Sequence, residues 1–127
     1  MNTSKPRPLS PHLQVYRLPM AALMSITHRI TGAILSGGFL LIAAFLVCAA
    51  SGAECFNMVM DFASSPFGIF ILVGWSAALY YHTLNGIRHL VWDTKPSTIS
   101  MDKATASGFF IIAATLLLTA ATWYFSK

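Results

Sequence analysis

A chain of 127 residues in which 56% of side chains are hydrophobic and only 9% charged has too little polar surface to face water as a soluble domain. Its net charge of +4, from 8 basic and 4 acidic residues, collects at the ends of apolar runs, where it reports topology and gives no support to nucleic-acid binding. A small soluble enzyme is excluded, and the reading is an all-α membrane protein.

Residues 1–21 form an N-terminal interfacial segment. Pro6, Pro8, Pro11 and Pro19 keep it irregular or extended before helix begins. The apolar run that follows is too long for the core of a secretory signal, and the leader does not read as a transit peptide. A compact chain with no clear presequence points to a bacterial inner (cytoplasmic) membrane, the mitochondrial inner membrane being the alternative.

Residues 22–127 make one three-helix transmembrane domain. Uncharged runs at 30–50, 63–87 and 104–126 are each roughly 20 residues long, which as helix spans about 30 Å of hydrocarbon. The predicted helices cover residues 22–50, 66–92 and 101–124. Pro66 suits the first turn of the second, Asp93 to Pro96 ends it, and Ser100 caps the third. Lys5, Arg7, Arg17 and Arg29 precede the first span and Arg88, Lys95 and Lys103 border the second connection. The first connection carries Glu54 and Asp61 and no basic residue. The N-terminus is therefore expected on the cytoplasmic or matrix side. Trp92, Trp123 and Tyr124 stand where interfacial aromatic belts are expected.

Gly32 with Ser36, and Ala33 with Gly37, allow close helix approach in the first span. Cys48 and Cys55 are expected to be buried thiols: a helix continuing through both would separate their backbones by about 10 Å, too far for a disulfide. No cysteine pattern holds an iron–sulfur cluster, and no Gly-rich fingerprint cradles a flavin or nucleotide. Such cofactors belong to partners.

His82 is alone in the uncharged stretch 63–87, and an ionisable group at that depth pairs with something or ligates something. Ala78, His82 and Gly86 recur at four-residue intervals, leaving room beside the imidazole for a flat macrocycle with His82 as axial ligand of its iron. The alternative is an imidazole hydrogen-bonded to a carbonyl or hydroxyl of a neighbouring helix, with Tyr80, Tyr81 and Asn85 nearby; the pattern leaves both open. His89 lies two turns on, about 10 Å nearer the inner surface, so one iron cannot bind both. His12 and His28 are expected too near the inner end to reach the level of His82. A second axial histidine would then come from another chain.

Ser25 and Arg29 share a helix face where the chain enters hydrocarbon. A quinone head group needs a few directed donors in an apolar cleft, and Arg29 would stabilise the negative charge that develops on reduction. Arg29 snorkelling to lipid phosphate is the plainer alternative. His28 points about 100° away from Arg29, and with Arg88 or His89 it would pair with haem propionates, or else be solvated.

The stretches Arg7-Pro8-Leu9-Ser10-Pro11-His12-Leu13, Ser25-Ile26-Thr27-His28-Arg29-Ile30-Thr31-Gly32 and His82-x-x-x-Gly86-x-Arg88-His89-x-x-x-Asp93, in this order on three spans, resemble the cytochrome b membrane-anchor subunits of succinate dehydrogenase, respiratory complex II. The resemblance implies that Ser25, Ile26 and Arg29 contribute to a ubiquinone site, that His82 is one axial ligand of haem b, and that His28 and Arg29 lie near a propionate. It also implies a role for Asp93 near proton entry, where the plain alternative is a solvated acid at a helix end. A second membrane-anchor subunit would supply the other haem ligand, forming a heterodimeric anchor bundle that tethers a flavoprotein with FAD and an iron–sulfur subunit. Succinate oxidation then takes place on the partners. Three rivals remain: the anchor of a quinol:fumarate reductase, a haem-free structural scaffold, and a proton-channel or transporter subunit using His82, His89 and Arg29 as a relay.

Overall fold

A computed structural model describes residues 17–126. Among these residues four α-helices follow one another: α1 (Met20–Ser51), α2 (Ala53–Ser64), α3 (Pro66–Thr94) and α4 (Met101–Phe125), with a 3-10 turn at Pro96–Thr98 between the last two. Among the described residues there is no strand. α1, α3 and α4 are each long and apolar enough to cross a membrane. Their bounds lie within two residues of the expected 22–50, 66–92 and 101–124. Residues 1–16 of the leader lie outside the described residues, and its last two, Met20 and Ala21, already belong to α1.

Local chemistry sets the ends. Pro19 sits in extended backbone just before α1, supplying no N–H where none is needed. Ser65 caps α3 by accepting from the Gly68 amide at 3.1 Å, with Pro66 in its first turn. Ser100 accepts from the Lys103 amide in the same way on α4.

The first connection departs from expectation. Gly52 takes φ 122°, a conformation that side-chain-bearing residues rarely adopt, and there α1 ends and α2 begins in a new direction. The assumption of one continuous helix through Cys48 and Cys55 therefore fails. Their Cα atoms are 5.0 Å apart and the two are joined as a disulfide, not buried thiols. α2, a helix absent from the sequence reading, packs against both α1 and α3.

α1, α3 and α4 run in alternating directions, and their tight packing lies at one end. Met24 and Ala104 are buried there with the polar Asn85 and Arg88, and Ile111 and Thr115 are buried further along α4. Gly108 of α4 receives the side chains of Met20 and Met24, whose Cγ atoms would stand 3.1 and 3.6 Å from a Cβ at that position. Halfway along, Trp75 of α3 lies on Gly38 of α1, where a Cβ would fall 2.3 Å from the indole nitrogen. At about the same level, Trp123 Nε1 donates to Ser76 Oγ at 3.0 Å and the Tyr80 and Thr122 hydroxyls bond at 2.6 Å, tying α3 to α4. Much of the apolar surface faces outward, including Phe39, Leu40, Phe70, Phe110 and Leu117, as suits helices that meet lipid or other helices.

Candidate functional site

α1 and α3 meet along a polar seam. His82 projects from α3 toward Gly32 of α1, where a Cβ would stand 3.0 Å from its Cε1. Its Nδ1 lies 3.1 Å from the His28 carbonyl and 3.2 Å from Thr31 Oγ1. The single Thr31 proton has helix carbonyls to serve, those of Thr27 and His28, each 2.9 Å away. Nδ1 therefore faces two acceptors and carries the proton, which leaves the lone pair on Nε2. Among the described residues Nε2 makes no hydrogen bond. An imidazole with Nδ1–H fixed on a carbonyl and Nε2 open has the form of a metal ligand with its outer partner in place. The donor chemistry fits an axial ligand of haem iron.

His28 is closer than its position in the sequence implies. Its ring stacks on His82 with centroids 4.0 Å apart and planes 7° from parallel, and lies 5.3 Å from His89. The expectation that His28 could not reach the level of His82 is thus corrected. α1 starts at Met20 while α3 runs on to Thr94, and the antiparallel pair brings the two levels together. The clearance beside Gly86 is used by this contact, since a Cβ there would stand 3.7 Å from His28 Cε1. His28 Nδ1 is buried with no hydrogen-bond partner among the described residues. The stacking places His28 over the face of His82 and not in the plane of its ring, where the Nε2 lone pair lies.

Ser25 is half-buried, Ile26 is 39% exposed and Arg29 is exposed, all in the early turns of α1. Among the described residues the Ser25 and Arg29 side chains make no hydrogen bond or ion pair, so their polar groups are available to a group at the bundle surface. Asp93 is exposed in the last turn of α3, and His12 lies outside the described residues.

A buried polar chain went unread in the sequence. Arg88, only 7% exposed, turns into the bundle, donating to Asn85 Oδ1 at 3.1 Å and to the Ala104 carbonyl of α4 at 2.9 Å. Its guanidinium carbon sits 4.0 Å above the Trp92 ring. Asn85, with no exposed surface, donates from Nδ2 to the Met24 carbonyl at 3.0 Å. Tyr81 Oη adds contacts to that carbonyl at 3.2 Å and to Thr27 Oγ1. The signal was present: Asn85 and Arg88 stand at helical spacing in an apolar span, where polar groups face protein.

Three apolar spans folded around a seam of imidazole, amide and guanidinium groups define a polytopic membrane subunit with a polar site within its helices. The chain belongs to the succinate dehydrogenase/fumarate reductase transmembrane subunit family, whose profile matches residues 3–122. It is similar to the succinate dehydrogenase cytochrome b556 subunit of Paracoccus denitrificans, 43% identical over 116 residues, covering 91% of this chain and 88% of that one. The cytochrome b556 subunit of Rickettsia felis is 34% identical, covering 92% and 90%. The mitochondrial cytochrome b560 subunit of Sus scrofa is 36% identical, covering 91% of this chain and 69% of its own.

Proposed function

We propose that this chain is the haem b membrane anchor of a succinate:ubiquinone oxidoreductase, holding haem through His82 Nε2 and forming part of the quinone site with Ser25, Ile26 and Arg29. The carrying observation is the His82 hydrogen-bond pattern: Nδ1 is fixed on the His28 carbonyl and Nε2 is left open. That fixes the tautomer and aims the ring before any iron arrives. Bound haem supplies a one-electron store beside the quinone.

The second axial ligand comes from a second membrane subunit. His28 and His82 lie face to face as a parallel stack, so His28 would pack against the ligand ring and not hold the same iron. Its position beside the ring suits contact with a propionate, together with Arg29.

Ser25 and Arg29 supply the directed polar groups of the quinone site, and Ile26 an apolar wall. Ser25 Oγ hydrogen-bonds a quinone oxygen, and the fixed charge of Arg29 favours electron density arriving on the ring. An iron–sulfur subunit delivers the electrons and a flavoprotein subunit with FAD oxidises succinate, both held against the inner end of the bundle. The cytochrome b names of the bacterial and mitochondrial relatives support the haem. The inner membrane, bacterial in the first instance, is the corresponding location.

Reduced-minus-oxidised spectra of the purified complex, with haem quantified against flavin, test the proposal. Wild type is expected to show the sharp bands of a two-histidine haem, and His82→Ala to lose them while flavin is retained. Unchanged bands in His82→Ala would overturn the ligand assignment.

A further inference from the structure

The residue immediately before Ser25 is held from three directions. The Met24 carbonyl lies 3.0 Å from Asn85 Nδ2, 3.2 Å from Tyr81 Oη and 3.2 Å from Thr27 Oγ1. Each hydroxyl has one proton and another acceptor within reach: Thr27 bonds the Leu23 carbonyl at 2.8 Å, and Tyr81 contacts Thr27 Oγ1 and Met24 Sδ. Asn85 differs. Arg88 can only donate, so the amide oxygen must face Arg88 and the amide N–H groups must face α1. The orientation of Asn85 is thus dictated by a guanidinium that is itself tied to the Ala104 carbonyl of α4. The chain Ala104, Arg88, Asn85, Met24 crosses all three spans.

This chain fixes α1 in rotation as well as in position. Successive residues of a helix point about 100° apart, so a modest rotation carries Ser25 and Arg29 away from any group they address together. The Met24 side chain, buried against Gly108 of α4, resists sliding but does not by itself set the angle. The directed hydrogen bond from Asn85 to the Met24 carbonyl sets it, together with that from His82 Nδ1 to the His28 carbonyl four residues on.

We propose that Asn85 is a positioning residue for quinone binding: its amide, oriented by Arg88, holds the Met24 carbonyl and so sets the direction in which Ser25 and Arg29 face the quinone. The inference rests on the quinone-site reading above. Asn85 touches neither quinone nor haem and acts through α1.

The test uses the intact complex in detergent with a short-tailed ubiquinone. Asn85→Leu, which leaves the carbonyl and the guanidinium unpaired, is expected to raise the quinone KM about tenfold. The rate with succinate and a soluble dye, and the haem bands, are expected to stay unchanged. Asn85→Asp keeps a partner for Arg88 and removes the donor to Met24, so it is expected to raise KM similarly and to remain measurable if the Leu variant fails to assemble. In a Ser25→Ala background the effect of Asn85→Asp is expected to shrink. A wild-type KM in Asn85→Asp, or full additivity with Ser25→Ala, overturns the inference while leaving the quinone site standing. Should Ser25→Ala and Arg29→Leu themselves leave quinone kinetics untouched, the site reading fails first and the inference with it.

Discussion

His28 and His82 face each other across α1 and α3 as a parallel stack, 4.0 Å between centroids. One face of the proposed haem ligand is therefore packed by its own subunit, and its Nδ1 is held by the backbone carbonyl of that same His28. The side chain of His28 stabilises ring orientation, while its backbone fixes the tautomer. The two roles separate on substitution. His28→Phe, which keeps a flat ring and the carbonyl but gives up the propionate contact, is expected to retain most of the haem relative to flavin, and His28→Ala to bind it less tightly. Haem loss in His28→Phe equal to that in His82→Ala would indicate that His28 nitrogens, not its stacking, hold the group.

Gly32 closes the space around the ring. A methyl group there would meet His82 Cε1 at 3.0 Å, tighter than ordinary contact, so the imidazole must move. Gly32→Ala is expected to cost about 1–3 kcal/mol, and Gly32→Val to displace the ring enough to abolish haem incorporation. Haem content relative to flavin, read beside thermal unfolding of the complex, checks both.

Arg29 is exposed at the end of the bundle where the proposed quinone site lies. Arg29→Leu is expected to lower succinate:quinone activity by about a hundredfold, the scale at which loss of one electrostatic stabiliser is felt. Succinate oxidation with a soluble dye, which needs only the partner subunits, is expected to persist. Equal loss of both activities would mark failed assembly instead.

The Cys48–Cys55 disulfide joins α1 to α2 across Gly52. Formation in the membrane-bound protein requires an oxidising compartment, which agrees with the expected placement of this connection away from the basic, inner side. Mass spectrometry of the unreduced chain is expected to show the loss of the thiol hydrogens. The Cys48→Ser, Cys55→Ser double variant is expected to lose about 2 kcal/mol of stability with quinone reduction unchanged. Free thiols in the native chain would place this corner in a reducing environment.

The three spans were readable because hydropathy and length act over whole segments, and Ser65, Pro66 and Ser100 mark helix starts by chemistry that needs no tertiary partner. The α1–α2 corner was not readable, because a single glycine decides it: whether Gly52 continues a helix or adopts φ 122° depends on how α2 packs against α1 and α3. His82 stood out by its isolation in apolar sequence. Its neighbour His28 did not, since depth counted along one helix ignores the offset between antiparallel helices and the reach of two side chains. Arg88 read as a marker of the inner boundary, yet its guanidinium turns inside, where Asn85, Trp92 and the Ala104 carbonyl engage it and its Nε has no hydrogen-bond partner among the described residues.

The central claim is that His82 binds haem iron through Nε2 with Nδ1 on the His28 carbonyl, opposite a histidine of a second membrane subunit. An experimental density map of the assembled complex at a resolution that defines ring orientation tests it most directly. The expected map shows iron on His82 Nε2 and the macrocycle shared between the two membrane subunits. A map with His82 hydrogen-bonded as described but with no tetrapyrrole at Nε2, or with iron on a different side chain of this chain, would contradict it.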